Sequence, residues 1–508
     1  MVDLGGALPQ PLPRPLPQPL PQPLPHALPR LHRQRAFWLC FDVTLALVVL
    51  AGAGDMPNRW GVANLVWLLA YLLAVLRILT VWPAFFRLIL RNWSYLLYPA
   101  VCAMSVVWSL ARPTSLVGAV QMTMTVLIAS YLGWRFAPRR LVLLLFASTL
   151  AGAALSILNL ATGAFQPVYS DVGGLLGIYT SKNMLGHYSL FALLIALSLM
   201  LSAPDEMPRP ARWIAAPALV ICAVAVVLSK SMTAVVLMPC YAGLVLLLNR
   251  DRLPPALRHL AVMLVVALIA LAPMTLTMAG IDPMAELFAA TGKDATLTGR
   301  TDLWAIAYDL VSRAPLNGYG YGAFWVNDRF ATQHFQVLRA GSNAPSFHNF
   351  FADVGVGTGL IGIAAILTLI LTTLRRAFRA WRASGSAMSV CWLVLSILPV
   401  NVGLVEPFLY RQHEFMLTWM VMLGVSLGEW QRRPSRPAPA TTLPPRIPAT
   451  ELPGLAPVPA RGPAAVSRGT ATRRGRRHHR RAGLHRGRCA DAHAQPECLR
   501  RRRRHRQS

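Results

Sequence analysis

Long apolar segments follow one another along most of this chain, separated by short polar connections. A helix needs about 20 apolar residues to cross the hydrocarbon core of a membrane, and many of these segments approach that length. We therefore predict an all-α polytopic membrane protein with about twelve transmembrane helices. The predicted spans are residues 37–54, 61–80, 95–111, 115–133, 140–160, 184–202, 213–229, 232–248, 259–279, 349–374, 388–405 and 413–430.

One long polar segment interrupts this pattern, between the ninth and tenth predicted spans, from Asp282 to Asn349. Most connections in proteins are short, and loops held on a rigid scaffold often carry binding and catalytic residues. We therefore predict that residues 280–348 form a catalytic loop. A shorter aromatic-rich segment, residues 82–94, is predicted to be a turn at the membrane interface.

Arginine and lysine are unevenly distributed among the connections. Cytoplasmic loops carry an excess of these residues, so the arginine-rich set is assigned to the cytoplasm. Both termini are then cytoplasmic, and the loop 280–348 faces the periplasm of a bacterial inner membrane. The arginine-rich connections hold Arg87 and Arg91; Arg135, Arg139 and Arg140; Arg209 and Arg212; Arg250, Arg252 and Arg258; and Arg375, Arg376, Arg379 and Arg382. The alternating connections hold one cation each: Arg59, Arg112, Lys182, Lys230 and Arg411.

Composition supports a membrane protein and divides the chain into three parts. Hydrophobic residues make up 55% of the chain and charged residues 14%, against about 25% charged in soluble proteins. Residues 1–36 are rich in proline and residues 431–508 in arginine and proline, so both are predicted to be disordered. Residues 37–430 form the predicted transmembrane domain.

The basic tail explains much of the net charge of +29, because residues 432–508 hold twenty arginines and three acidic residues. Three interpretations of this tail remain open: it adheres to anionic membrane lipids, it is simply solvated, or it is an out-of-frame translation. We do not infer a nucleic-acid partner from this charge. The seven cysteines show neither disulfide nor zinc-ligand spacing, and no signal peptide is expected before the first span.

Polar residues at the outward ends of the spans are candidates for function, because ionisable groups there are costly to keep. Lys182, Asn183 and His187 lie at the start of the sixth span, and Lys230 lies in a tight turn between the seventh and eighth. Each lysine is either a cation for an anionic lipid-linked substrate or an ordinary interfacial lysine. Glu406, Arg411, His413 and Glu414, before the last span, either pair with each other or complete the outward site.

Within the large loop, Arg300 precedes an amphipathic stretch predicted to be helical, and a helix N-terminus suits anions. The sequence NGYGYG at 317–322 predicts a tight turn whose glycines allow close backbone approach to a ligand. His348 ends the loop, and histidine is a natural general base, although a structural histidine is an alternative.

Three pieces of this loop, GRTDLW, PLNGYGYGAF and FHNFFADVGVGTGLIG, resemble the signature of the O-antigen ligase and polymerase superfamily of bacterial membrane glycosyltransferases. The upstream segments GIYTSKNMLGHY and LSKSMTA resemble two further segments of that family. The resemblance covers roughly residues 37–430. It implies transfer of a glycan from an undecaprenyl-diphosphate carrier to an acceptor hydroxyl at the periplasmic face, without a metal or other cofactor.

The resemblance also implies roles for single residues. Arg300 and His348 match the family's functional pair, so Arg300 would bind the diphosphate and His348 would position or deprotonate the acceptor hydroxyl. Lys182 would be a further diphosphate contact. Met232 stands where the family often has a basic residue, and Lys230 is the candidate substitute. The residues predicted to bind substrate are Lys182, Asn183, Lys230, Tyr319 and Asn349.

Two activities within this family remain open. A ligase moves a finished glycan onto the lipid A core, whereas a polymerase joins repeat units into a longer polysaccharide, including secreted exopolysaccharide. Glycosylation of protein side chains is a third variant. Outside the family, a flippase or other transporter is the alternative, and it would be favoured if a charge deep in a span, such as Asp42, proved functional.

Overall fold

The computed structural model describes residues 27–171, 173–256, 258–259, 263, 300–326 and 346–432, with the side chains of residues 27–35 and 300–302 left out. The predicted ninth span, residues 259–279, lies almost entirely outside these residues. Residues 1–26 and 433–508 also lie outside them, as do the first part of the large loop and residues 327–345. The predicted disorder of the two termini therefore stays a prediction.

The regular secondary structure of the described residues is helical, with no strand among them, so the predicted fold class is confirmed. Within the described part of the chain, Tyr169 and Leu175 form an isolated β-type bridge. The α-helices are α1 (Ala27–Ala53), α2 (Met56–Arg59), α3 (Ala63–Leu79), α4 (Trp82–Arg91), α5 (Leu97–Ser105), α6 (Arg112–Arg135), α7 (Pro138–Thr162), α8 (Lys182–Met200), α9 (Arg209–Ser229), α10 (Met232–Leu248), α11 (Arg300–Arg313), α12 (Phe350–Ser384), α13 (Ala387–Gly403) and α14 (Phe415–Gln431).

Six helices among the described residues are long and apolar enough to cross a membrane: α1 from Ala36, α6, α7, α8, α9 and α12. Helices α3 and α4 are long and apolar enough only together, and because they meet at a bend of 102° they form either a broken span or a re-entrant loop. Helices α10 and α13 are apolar but shorter. The protein is thus a multi-pass membrane protein, and the count of twelve spans stays a prediction.

Two predicted elements differ from the structure. Residues 82–94 form the helix α4 followed by a 3₁₀ turn, because Phe85 and Leu88 share one face and are buried. The predicted span 95–111 contains only the nine residues of α5 as helix, followed by turns. The helix ends there because Ser105 and Leu110 are hydrogen-bonded to the loop after α11.

Helices α8 and α14 lie at the centre of the bundle. Helix α8 packs against α7, α9, α10 and α13, and α14 packs against α6, α12 and α13. In α14 every side chain from Phe415 to Gly428 is buried, as expected for a helix that is apolar on all sides. These two central helices support the connections that form the candidate site.

The polar connections meet at two opposite ends of the bundle, as the predicted alternation requires. At the arginine-rich end, Arg252 pairs with Glu206 at 2.7 Å, and Arg376 donates to Asn92 at 2.7 Å. At the other end, Asn183 contacts Glu406. These contacts join connections of the same predicted set, and the predicted orientation in the membrane stays a prediction.

Helix α12 is broken at Gly359, where φ is 65° and ψ is −166°. That region of backbone space is open essentially to glycine alone. The loop after α11 bonds to the helix at the break: Tyr319 N donates to Val356 O at 2.8 Å, and Leu360 N donates to Pro315 O at 2.8 Å. The loop therefore takes part in the backbone bonding of the first turns of α12.

Candidate functional site

His348 lies immediately before α12, in a short segment held on several sides. The backbone N–H of Phe347 donates to Asp353 Oδ1 at 3.2 Å, and its carbonyl accepts from Trp304 Nε1 at 3.0 Å. His348 itself has a left-handed backbone, with φ 51°, a conformation that costs energy and is frequent at functional sites. Its side chain is 33% exposed, so a substrate can reach it.

Glu406 joins His348 to helix α8. One carboxylate oxygen lies 3.2 Å from His348 Nδ1, and the other accepts from Asn183 Nδ2 at 2.8 Å. Glu406 is only 4% exposed, so its position is fixed by the fold. With Nδ1–H donating to Glu406, the Nε2 atom of His348 is left as the acceptor, which is the tautomer that a general base needs.

The predicted residues Lys182 and Lys230 lie on either side of a glycine pair in the connection before α8. A Cβ at Gly174 would lie 2.5 Å from Lys182 Cδ, and a Cβ at Gly173 would lie 3.8 Å from Lys230 Nζ. Lys230 ends α9 in a left-handed conformation, with φ 48°. Because Asn183 follows Lys182 directly, the backbone of Lys182 adjoins the group formed by Glu406 and His348, and the glycine pair links Lys182 to Lys230.

Arg300 is the first residue of α11, as its predicted place before a helix requires. It lies one helical turn before Trp304 along α11. The Trp304 ring in turn contacts the carbonyl next to His348. The side chain of Arg300 lies outside the described part of the chain, so its predicted contact with the diphosphate stays a prediction.

Two predicted substrate-binding residues make contacts within the protein. Asn349 is the N-cap of α12, where its Oδ1 accepts from Phe351 N at 2.9 Å and Ala352 N at 3.2 Å. The Tyr319 hydroxyl donates to Leu310 O at 3.1 Å. The NGYGYG glycines were expected to approach a ligand closely. At Gly318 the close approach is instead to the protein's own backbone, since a Cβ there would lie 2.5 Å from Val356 O. Substrate contact by Asn349 and Tyr319 stays a prediction.

A cavity of about 560 Å³ lies beside this site, between the start of α6, the end of the NGYGYG turn and the connection before α14. Among its described walls are three aromatic side chains, two amides and one guanidinium. The lining residues are Pro113, Thr114, Val117, Gly118, Gln121, Tyr321, Gly322, Trp325, Tyr410, Arg411 and Gln412. Burial raises the pKa values of the Tyr321 and Tyr410 phenols, so both remain neutral hydrogen-bonding groups.

The charged groups around the site include Arg411, which is close enough to interact electrostatically with Asp353 and Glu414. Asp353 also lies within electrostatic range of His348. Among the described residues, no group of three His, Cys, Asp or Glu side chains is placed to hold a metal ion. The arrangement offers an oriented imidazole, a nearby pair of lysines and a cavity with polar and aromatic walls.

Comparison with known proteins matches part of the region that carries this site. Residues 217–367 match the family model described as O-antigen ligase. The chain is also 32% identical over 236 residues to the exopolysaccharide production protein ExoQ of Rhizobium meliloti (strain 1021). Both matches support the resemblance to the O-antigen ligase and polymerase superfamily. The family resemblance seen in the sequence is thereby confirmed.

The coverage of these matches is partial. The alignment with ExoQ takes in 44% of this chain and 52% of ExoQ, so the chain spans about half the length of that relative. Lys230, Arg300, Tyr319, His348 and Asn349 lie within the O-antigen ligase region. The family points to a membrane enzyme that transfers glycans.

Several residues of the site are not evident from sequence spacing. Glu406 is apparent only as an acidic residue in a short connection, and its pairing with His348 joins positions 58 residues apart. Asp353 has a signal that could have been used, because a carboxylate in the first turn of an apolar helix is unusual. Trp325, Gln121 and Gln412 have no comparable signal.

Proposed function

We propose that this protein transfers a glycan from an undecaprenyl-diphosphate carrier to an acceptor hydroxyl at the periplasmic face of the bacterial inner membrane, with both termini in the cytoplasm. The observation that carries this proposal is the His348–Glu406–Asn183 arrangement beside the lysine pair. The superfamily match supports the same reaction class.

In the proposed reaction His348 is the general base. Its Nε2 takes the proton of the acceptor hydroxyl while the hydroxyl oxygen forms a bond to the anomeric carbon of the donor sugar. The bond from that carbon to the diphosphate oxygen breaks, and undecaprenyl diphosphate leaves with the electron pair. Glu406 holds the imidazole in the required tautomer and stabilises the imidazolium that forms. A positioned base of this kind contributes about 10²–10⁴-fold to rate.

The leaving group in this reaction is a diphosphate, which cations stabilise better than a proton donor would. Lys182 and Lys230 are proposed to contact it, together with Arg300, whose guanidinium suits bidentate phosphate binding. The lipid chain of the carrier would remain in the surrounding membrane. The acceptor would be lipid A core in a ligase or a growing polysaccharide in a polymerase.

A polymerase is the second candidate, and the similarity to ExoQ favours it, because that relative is described as an exopolysaccharide production protein. The two activities differ in product. Loss of a ligase removes long glycan from lipid A core, whereas loss of a polymerase removes free polymer or leaves single repeat units on the core.

The test uses surface glycans of the native host, with lipopolysaccharide and free polysaccharide analysed separately. A deletion strain is complemented with wild type, His348→Ala or His259→Ala. His259 is an exposed histidine that contacts only its own helix among the described residues, so it is the matched control. We expect wild type and His259→Ala to restore the glycan and His348→Ala to fail at equal protein level.

If His348→Ala restores the surface glycan at wild-type yield, His348 is not the general base. Transport would then be the better explanation. The structure offers little support for transport through Asp42, the charge that would favour it. Asp42 is fully buried, but it pairs with Arg77 at 3.2 Å and Arg135 at 2.6 Å. Its charge is therefore balanced within the bundle.

A further inference from the structure

The 560 Å³ cavity beside His348 has the chemistry of a carbohydrate site. Its volume lies within the range of about 300–1,000 Å³ that is typical of ligand pockets. Sugars present hydroxyl groups to polar side chains and C–H faces to aromatic rings. The cavity supplies both, with the amides of Gln121 and Gln412 and the rings of Tyr321, Tyr410 and Trp325.

The polar wall is already ordered. Gln412 Nε2 donates to Gln121 Oε1 at 3.0 Å, and the Tyr321 hydroxyl donates to Gln412 Oε1 at 2.7 Å. The backbone N–H of Gln412 donates to the same hydroxyl at 3.0 Å. These bonds fix the orientation of both amides, and pre-ordered side chains lose less entropy when a ligand binds.

Trp325 connects this cavity to the proposed base. Its ring lies 4.7 Å from the Phe347 ring, measured between centroids, and Phe347 precedes His348. Trp325 Nε1 also donates to Asp353 Oδ1 at 3.4 Å, the atom that accepts from Phe347 N. A sugar against Trp325 would therefore lie next to the segment that carries His348.

The two sides of His348 differ in chemistry, although both hold cations, since Arg411 lines the cavity and interacts electrostatically with Asp353 and Glu414. Through Glu406 and Asn183, His348 is connected to the side that holds Lys182 and Lys230, which suits a diphosphate. Through Phe347 and Trp325, it is connected to the cavity, where amides and aromatic rings predominate among the described walls. We propose that the cavity binds a sugar of the acceptor glycan and presents its hydroxyl to His348. The assignment to the acceptor rests on the proposed function, whereas the assignment to a sugar rests on the cavity itself.

The test measures binding separately from transfer. The full chain is purified in lipid nanodiscs, and the probe is the repeat-unit oligosaccharide released from the host's own polysaccharide, without lipid or diphosphate. Thr114→Trp fills the cavity from an exposed lining position, and Leu116→Trp is the control, since Leu116 is exposed on the same helix but does not line the cavity. Binding is followed by titration calorimetry.

We expect wild type and Leu116→Trp to bind the oligosaccharide equally, and Thr114→Trp to bind at least tenfold more weakly, which corresponds to about 1.4 kcal/mol. No binding by wild type, or equal binding by Thr114→Trp, would overturn the proposal. If the lipid-linked donor binds in the cavity and the oligosaccharide does not, the cavity belongs to the donor. That result would overturn the acceptor assignment. If the protein binds the oligosaccharide in the cavity but its deletion leaves every host glycan intact, the sugar site is supported. The proposed function would then be contradicted.

Discussion

Replacing Glu406 by glutamine tests how His348 is held. The side chain keeps its size, and its remaining carbonyl oxygen can still accept from Asn183. An amide nitrogen then faces His348 Nδ1 in place of a carboxylate oxygen. Because that nitrogen donates, Nδ1 must become the acceptor, and the ring proton moves to Nε2, where it blocks uptake of the acceptor proton.

The size of the effect follows from the bond that is lost. The His348–Glu406 contact of 3.2 Å becomes a charge-assisted hydrogen bond when the imidazole takes a proton. Such bonds contribute about 1.5–3 kcal/mol, and about 1.4 kcal/mol corresponds to a factor of ten. We therefore expect Glu406→Gln to slow transfer by about ten- to a hundredfold, within the limit of about 10²–10⁴-fold set by the base itself.

The assay is the initial rate of glycan transfer in membranes that contain equal amounts of each variant. Glu206→Gln is the matched control, because it changes a buried acid in an ion pair with Arg252, at the other end of the bundle. Glu406 acts through His348, so the double variant with His348→Ala should be no slower than His348→Ala alone. A wild-type rate for Glu406→Gln, or additive losses in the double variant, would refute this reasoning.

Three further predictions concern stability and the division of roles. Asp42→Ala leaves two cations without their buried partner and should lower the free energy of unfolding by about 3–5 kcal/mol. Its Tm should therefore be lower than that of the exposed control Asp205→Ala. Equal Tm values would contradict this prediction. Gly359→Ala should lower the free energy of unfolding by more than about 1–3 kcal/mol. The loss should exceed that of the control Gly385→Ala, whose Cβ would meet nothing within 4 Å. Equal losses of the two variants in thermal unfolding would count against the described break. Asn349→Ala should lower the Tm, because it removes about 1 kcal/mol of helix capping, whereas Asn349→Asp should keep the wild-type Tm. A stable but inactive Asn349→Asp would show that the residue also binds substrate.

The fold class could be predicted from the sequence because membrane helices depend on local apolar runs. The ends of α6 and α7 and the start of α12 fall within a few residues of the predicted spans, whereas α12 continues to Ser384, well past the predicted end at 374. The interrupted span at 95–111 could not be predicted in this way. Its helix ends where Ser105 and Leu110 bond to a loop some 200 residues later in the sequence, and such distant partners leave no periodic signal.

The candidate site was predicted in its parts but not in its connections. His348, Asn183 and Glu406 all stand out as polar residues at the ends of apolar segments. That Glu406 lies between the other two depends on the packing of α8 against α13, which no local pattern specifies. The cavity was missed for the same reason, since its walls come from the start of α6 and two connections that are far apart in the sequence.

The bonding between the NGYGYG turn and the broken helix α12 constrains how this protein can be recombined with a relative. Gly318 fits against the carbonyl of Val356, and the backbone of Leu316 and Tyr319 bonds across the break at Gly359. A chimaera that exchanges the loop alone would pair a foreign turn with an unmatched helix break. Functional exchange should therefore require residues 300–361 to move as one cassette.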